Sequence, residues 1–368
     1  MEHFHAAAGS VMTAHHRIAG TGLFALDVIV DCDGHVAKTA LGGSAGNVLS
    51  ILAAFGWAAV PIGTLGDDKA GRAVHREFSD LGADLALMRF SSERSTPVVY
   101  QHQMRSQTCT HRFSFACPEC GRRRPPSWDD DSDLGQSPDD LPCADVFFLD
   151  RPTQLGVALA RRYAGQGALV VFEPSAIGDD EELFAAALRS SHIVKYADER
   201  MGEVAGFELQ PNAIEIQTRG AKGLRFRAPA LCDSWLVLGA YDLPHLVDTA
   251  GAGDWCTAGL IYDLLSRRTV RKENWNVEIV MRSLAFGQAL STLNCLTEGA
   301  RGLLEVWTPS EIIRSARVLT SIRVRAFAEN RIQPWRSVCD PKLEELAKHV
   351  RLLDDRPRLN ANNFSCCL

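Results

Sequence analysis

The sequence predicts an α/β fold wound around a parallel sheet. Short β-rich apolar runs alternate with helical stretches along most of the 368 residues. Between Gly42 and Gly82 the order is helix, strand, helix, which suits right-handed βαβ winding. Hydrophobic residues make up 46% and charged residues 23% of the chain, so a sizeable core can form.

The elements follow in order. Ile18 to Val30 is an apolar run that reads as a strand with Asp27 near its end. Gly42, Gly43 and Asn47 open a stretch whose apolar spacing is helical as far as Phe55, with Gly56 as its cap. Ala59–Leu65 reads as a strand, and "DDKAGRAVHREFSDLGAD" as a second helix closed by Gly82. Val98–Met104 and Thr110–Ala116 read as two strands around a polar turn, Arg105–Thr108. Residues 118–145 collect prolines, arginines and aspartates and read as a loop or insertion. Order resumes with "ADVFFLD", "GALVVFEP", "HIVKYAD" and "AIEIQTRG", short strands separated by helical stretches. From Thr249 to Ala300 the pattern is mostly helical. The tail after Arg331 is charged, with helical spacing at Lys342–Leu352, and no internal repeat is present.

The net charge of −6 argues against a general nucleic-acid or anionic-membrane binder, whose footprint is a basic surplus. Eleven scattered cysteines suit thiols in a reducing compartment better than a disulfide scaffold. No run approaches the roughly 18 apolar residues that cross a bilayer. The first residues lack the pattern of a secretory leader, and Ser365 stands where a prenylation box needs cysteine. The expectation is a soluble, cytoplasmic protein.

"VDTAGAGDWCTAGLIYDLL", residues 247–265, carries the chemistry. Gly251, Ala252 and Gly253 precede an apolar run with helical spacing. Unpaired amides at such a helix start attract an anion, and small residues let the backbone approach it. Asp254 falls in the first turn. It reads either as a favourable first-turn charge or as an acid that accepts a hydroxyl proton beside a moving phosphate.

Asp248 to Asp254 match D-T-x-G-A-G-D, and the stretch resembles the C-terminal motif of the ribokinase-like (PfkB) carbohydrate kinases. Gly42, Gly43 and Asn47, followed by Gly63, Gly66, Asp68 and Gly71, are similar to that family's N-terminal motif. The resemblance covers roughly residues 18–325. It implies a three-layer α/β/α core with a central mostly parallel sheet, plus a small β-sheet lid. It further implies an extension over 1–17, a kinase domain over 18–330 and a tail over 331–368. The lid strands would lie at about 25–40 and 97–116, with an insertion at 117–145. Asp254 would be the catalytic base, with Gly251, Ala252 and Gly253 the hole for the transferred γ-phosphate. Asp27, Gly42, Gly43 and Asn47 would hold the hydroxyls of a sugar. Thr218, Arg219, Gly220 and Gly223 are similar to the T-x-G-x-x-G segment along the ATP phosphates, and Gly299 and Ala300 resemble the small pair near the nucleotide. ATP and Mg2+ are the implied cosubstrate and ion.

Two departures bear on the metal and the acceptor. Where many relatives carry N-x-x-E, this chain has "KYADER", leaving Asp198 and Glu199 as the acids for magnesium. Where relatives often have D-P-N, it has Glu173-Pro174-Ser175. Lys195 and Lys222 read as solvated side chains, with Lys222 tilted toward phosphate. Cys256 reads as packing, and His102 and His111 would face each other if the turn centred on residues 106 and 107. "GTGLFA", residues 20–25, imitates a dinucleotide loop, but a β-like run follows it.

"ACPECGRRRPPSW", residues 116–128, resembles half a zinc ribbon. Zinc needs four ligands; Cys117 and Cys120 supply two, with Cys143 the best third. The alternative is a reduced Cys-Pro turn tightened by Gly121. As an extension of the lid, its arginines would meet an anionic acceptor or a second subunit in a homodimer. The readings left open are a sugar kinase, a nucleoside kinase of the same fold, and a kinase-derived binding or regulatory module. A zinc-dependent nucleic-acid binder is the remaining one.

Overall fold

The computed structural model describes residues 16–104, 111–129, 141–202, 204, 206–243, 245–266, 275–328 and 343–348. Its strands are β1 (Arg17–Thr21), β2 (Ala25–Val30), β3 (Val36–Gly42), β4 (Ala58–Pro61), β5 (Gly63–Gly66), β6 (Met88–Ser91), β7 (Val98–Gln103) and β8 (His111–Ser114). They continue as β9 (Val146–Leu149), β10 (Leu169–Phe172), β11 (Ile193–Ala197), β12 (Ile214–Thr218), β13 (Leu224–Ala228) and β14 (Cys232–Leu238). The helices are α1 (Ser44–Ala54), α2 (Lys69–Asp80), α3 (Gln154–Gly165), α4 (Glu181–Arg189), α5 (Ala252–Ser266), α6 (Val277–Asn294), α7 (Leu303–Val306) and α8 (Pro309–Ala328).

Eight strands form the central sheet in the order β14-β13-β12-β11-β10-β9-β1-β4. β4, β1, β9, β10, β11 and β12 run parallel, β13 is antiparallel to β12, and β14 is antiparallel to β13. Parallel strands buried on both faces read as unbroken apolar runs; Val146–Leu149 and Leu169–Phe172 are buried at every position. Their side chains alternate between two cores. Val146 and Phe148 pack on the side of α1, α5 and α6. Phe147 and Leu149 pack on the side of α3 and α4. This is the expected three-layer α/β/α arrangement.

Local chemistry sets the helix starts. Asp68 accepts from Gly71 N–H at 2.8 Å and Thr153 accepts from Gly156 N–H at 2.9 Å, each satisfying an orphan amide of the first turn. In α2 the buried Ala70, Val74 and Phe78 recur every four residues and form its core-facing stripe.

A second sheet has the order β3-β2-β7-β8, with β2 and β7 parallel and the outer pairs antiparallel. It begins where β1 leaves the central sheet. The run Ile18–Val30 is therefore two strands in two sheets rather than one. The break comes at Leu23, whose N–H donates to the Asp150 carboxylate at 2.9 Å instead of to a strand. Ala59–Leu65 likewise divides into β4 and β5, and β5 pairs only with β6. Pro61, lacking an N–H, closes β4 at the sheet's edge.

The turn 105–108 and the far part of the insertion lie outside the described residues, as do most of residues 1–17 and of the tail. Of the helical stretch expected at Lys342–Leu352, 343–348 is described and helical. No helix among the described residues is long and apolar enough to cross a membrane.

Candidate active site

Parallel α/β sheets gather their loops at the carboxyl ends of the strands, where ligands bind. Here Asp150 follows β9, Glu173 follows β10 and Asp198 follows β11. The first turns of α1 and α5 meet above that edge. Asn47 Nδ2 joins them by donating to Asp254 Oδ2 at 2.7 Å.

Asp254 is buried, at 8% exposure. Among the described residues its other oxygen has no hydrogen-bond partner, and neither has the buried Asn47 Oδ1. Burial pushes the Asp254 carboxyl up to about 8, and the negative charge of Glu173 adds to the rise. The Asn47 hydrogen bond and the Lys195 ammonium oppose it.

Gly251 precedes α5 with φ 71, a left-handed conformation that side chains resist. A Cβ there would stand 2.4 Å from the Ala300 carbonyl oxygen, so the loop closes only with glycine. The Trp255 indole N–H donates to that same carbonyl at 2.9 Å, fixing Ala300 against the loop. Trp255 N–H makes the first helical bond, to Gly251 O at 2.9 Å. Among the described residues the Gly253 and Asp254 amides donate to nothing. Gly253 is exposed, so an anion can reach this helix start.

Beneath that turn stands a cluster that sequence reasoning missed. Lys195 is 1% exposed, not solvated, and its ammonium donates to Glu173. Thr257 Oγ1, one turn along α5, donates to the other Glu173 oxygen. A Cβ on Gly253 would lie 3.4 Å from Glu173 Oε1 and 3.6 Å from Lys195 Nζ. A lysine inside the unbroken apolar run of β11 was the available signal, since a buried cation requires a partner. The acid ending "ADVFFLD" was another: Asp150 is fully buried and ties Leu23 N–H and Ala45 N–H together, at 2.9 and 3.2 Å.

The residues expected on the acceptor side, Asp27, Gly42, Gly43 and Asn47, come together around β2 and α1. A Cβ on Gly42 would overlap the Asp27 carboxylate, at 1.9 Å, so only glycine lets them lie against one another. Gly43 caps α1 with φ 80, its Cα facing the Leu23 carbonyl 2.2 Å from where a Cβ would be. Asp27 is half-buried, and its carboxylate has no hydrogen-bond partner among the described residues. Burial lifts its carboxyl to about 7; Arg301 pulls the other way, and Glu77 raises it further. Arg301 is itself engaged by Glu77 and the Leu41 carbonyl.

Thr218 to Gly223 form the tight connection between β12 and β13, with a 3-10 turn over Gly220–Lys222. Asp198 pairs with Arg219 at 3.7 Å, while Glu199 is exposed beside Gly220. Lys222 is exposed. Gly299 N–H donates to Asp248 at 2.9 Å, which holds Gly299 and Ala300 against the loop before α5. Cys256 is buried, and its thiol is pushed up to about 11 by that burial, so it packs rather than reacts.

The structure does not assemble the proposed zinc set. Cys117 N–H donates to Arg122 O and Gly121 N–H to Cys117 O, both at 2.9 Å, closing a tight hairpin on the second sheet. Cys143 lies just before β9 of the central sheet, where its carbonyl accepts from the Arg17 side chain. Among the described residues no three potential metal ligands converge. The histidine pairing also fails: His102 is opposite Arg112, and His111 is opposite Gln103. Arg124 is taken up by Asp68 at 3.4 Å, whereas Arg122 and Arg123 are exposed.

A mixed eight-stranded sheet between two helical layers, with a small sheet at its carboxyl edge, is the ribokinase-like fold. No family model matches the chain, and no curated protein matches it in sequence. Among solved structures, it is similar to a fructokinase from Xylella fastidiosa with bound ATP, at TM-score 0.64 and 16% identity, covering 82% of this chain and 98% of that one. It is also similar to a nucleoside kinase from Burkholderia thailandensis in complex with inosine, at TM-score 0.63 and 16% identity, covering 82% and 97%. An aminoimidazole riboside kinase from Salmonella enterica, complexed with its riboside and an ATP analogue, gives TM-score 0.61 and 20% identity, covering 82% and 100%.

Proposed function

We propose that the protein transfers the γ-phosphoryl group of ATP to a hydroxyl of a sugar or nucleoside. The observation that carries this reading is the buried Asp254, held by Asn47 across the cleft and set in the first turn behind Gly251, Ala252 and Gly253. The unbound Asp254 oxygen accepts the proton of the acceptor hydroxyl. The acceptor oxygen, freed of its proton, attacks the γ-phosphorus in line, the bond to the β-phosphate oxygen breaks, and ADP leaves. The Gly251–Gly253 turn meets the charge on the moving phosphoryl group with backbone amides, as fixed donors aimed where charge develops. Asp27 and Asn47 Oδ1 are acceptor atoms in want of donors, which the hydroxyls of a polyol supply.

On the nucleotide side, Thr218, Arg219, Gly220 and Gly223 line the phosphates, with Gly299 and Ala300 nearby. Magnesium takes oxygen ligands and is commonly held by one or two carboxylates together with substrate phosphates. Glu199 fits that use, being exposed and without a partner among the described residues; Asp198 is shared with Arg219. The ion, when bound, neutralises phosphate charge.

The second sheet acts as a lid on the acceptor, extended by the hairpin at Cys117–Cys120. Phe113 and Met104 on or beside it are 45% and 46% exposed, which favours contact with a second copy of the chain. Its setting is the cytoplasm, with a small molecule rather than nucleic acid or membrane as its partner. The direct test is ADP release over a panel of hexoses, ribose and nucleosides. Acceptor-dependent release supports the reading, and ordinary ATP binding with no release for any acceptor favours a kinase-derived binding module.

A further inference from the structure

Asp248, at the start of the loop that leads into α5, is buried, and its carboxylate accepts from His111, Ala250, Gly299 and Gln101. Oδ1 accepts from His111 Nδ1 at 2.7 Å and from Ala250 N–H at 3.0 Å. Oδ2 accepts from Gly299 N–H at 2.9 Å and from Gln101 Nε2. Two donors therefore come from the loop and its neighbour, and two from the second sheet, Gln101 on β7 and His111 on β8.

The loop side of the hub is stiff. Asn294 Nδ2 donates to Ala250 O at 3.1 Å and Gly299 O at 3.4 Å, and the Ala300 carbonyl covers Gly251. The sheet side is continuous with the acceptor residues, because β7 pairs with β2 and sets Val99 opposite Asp27. Burial works against the charge on Asp248, yet the bonds from His111, Ala250 and Gly299 hold its carboxyl below the usual range. An ionised carboxylate can only accept, so His111 donates through Nδ1. The ring is half-buried and rests on Phe113, with centroids 4.6 Å apart.

We infer that His111 is a positioning residue: through Asp248 it couples the second sheet to the Gly251–Gly253 loop, so that the acceptor side and the phosphate side are set in register. The coupling itself rests only on the contacts above; its consequence for turnover rests on the proposed kinase reading. Removing His111 leaves a buried carboxylate with one donor fewer on the oxygen that also holds Ala250 N–H. The loop then loses a restraint, while the sheet core is untouched.

The test uses the full chain, with His111→Ala, His111→Gln and, as an independent route to the same hub, Gln101→Met. Amide hydrogen exchange is followed without nucleotide over peptides spanning residues 248–256, β9 and α3. In His111→Ala and Gln101→Met, exchange at the bonded Ala250 and Ala252 amides is expected to rise about tenfold or more, the equivalent of roughly 1.4 kcal/mol of local opening. The β9 and α3 peptides stay as in the parent. His111→Gln, which keeps a donor, recovers most of the protection. With an acceptor in hand, kcat falls about tenfold in His111→Ala while the acceptor KM moves less than about twofold. Unchanged exchange at the loop overturns the inference, as does a rise spread evenly over the sheet or an equal loss in His111→Ala and His111→Gln. Absence of turnover in the parent protein would overturn the kinase reading alone, because the exchange measurement needs no substrate.

Discussion

As the proposed base, Asp254 combines two properties that burial alone would set against each other: it would have to ionise to take a proton, and it is buried where ionisation is costly. Asn47 and Lys195 lower that cost, while Glu173 and Asp150 add to it. Its folded-state carboxyl titrates at about 8, against 3.8 for the ordinary group, so between these values the folded chain binds more protons than the unfolded one. Stability from this group is therefore greatest at low pH and declines as pH rises toward about 8. Asp254→Asn removes that decline. The melting temperature of the variant is expected to exceed the parent's at pH 8–9, with the difference shrinking toward pH 5. Thermal melts across that range check it, and a difference independent of pH would contradict it. For the proposed reaction the sign is opposite: ionised Asp254 is the useful form, so kcat/KM is expected to rise with pH up to about 8. Asp254 itself was legible in the sequence because its motif is local. Lys195 and Glu173 were not, because their meaning lies in a contact between neighbouring strands that only the sheet order creates.

At the scale of elements, the proposed chemistry sits at the helix starts, and glycines set how closely they can be approached. Gly251→Ala places a methyl group against the Ala300 carbonyl in a left-handed backbone, a cost of about 1–2 kcal/mol before any clash. The loop must shift to accept it. ATP-dependent turnover is expected to fall about 100-fold or more, with a modest drop in melting temperature, and parallel kinetics and melts separate the two. Helices and buried parallel strands were legible because periodicity and caps are local signals. The breaks inside Ile18–Val30 and Ala59–Leu65 were not, since each run stays apolar while it passes from one sheet to another. What ends β1 is a hydrogen bond to Asp150, more than a hundred residues away in sequence. The zinc expectation failed for the same reason. Cys117 closes a hairpin on the second sheet while Cys143 precedes β9 of the central sheet, a difference that spacing along a loop does not report. A chelator is therefore expected to leave the melting temperature unchanged, and purified protein to hold zinc well below one equivalent by elemental analysis.

For the whole molecule, the sheet's carboxyl edge gathers groups that are far apart in the chain. Asn47 and Asp254 meet across the cleft, and Asp248 ties the second sheet to the loop before α5. The α/β class was legible from alternating elements, and the layering came from the family resemblance. The relation between the two sheets emerged only from the packing. The identity of the acceptor lies in loops and in the second sheet, which sequence motifs constrain least. The most direct measurement is ADP release by the parent protein and by Asp254→Asn across the panel of sugars and nucleosides, with ATP binding measured alongside. The predicted result is acceptor-dependent release by the parent, reduced about 1,000-fold in the variant while ATP still binds. Undiminished release by Asp254→Asn would contradict the account.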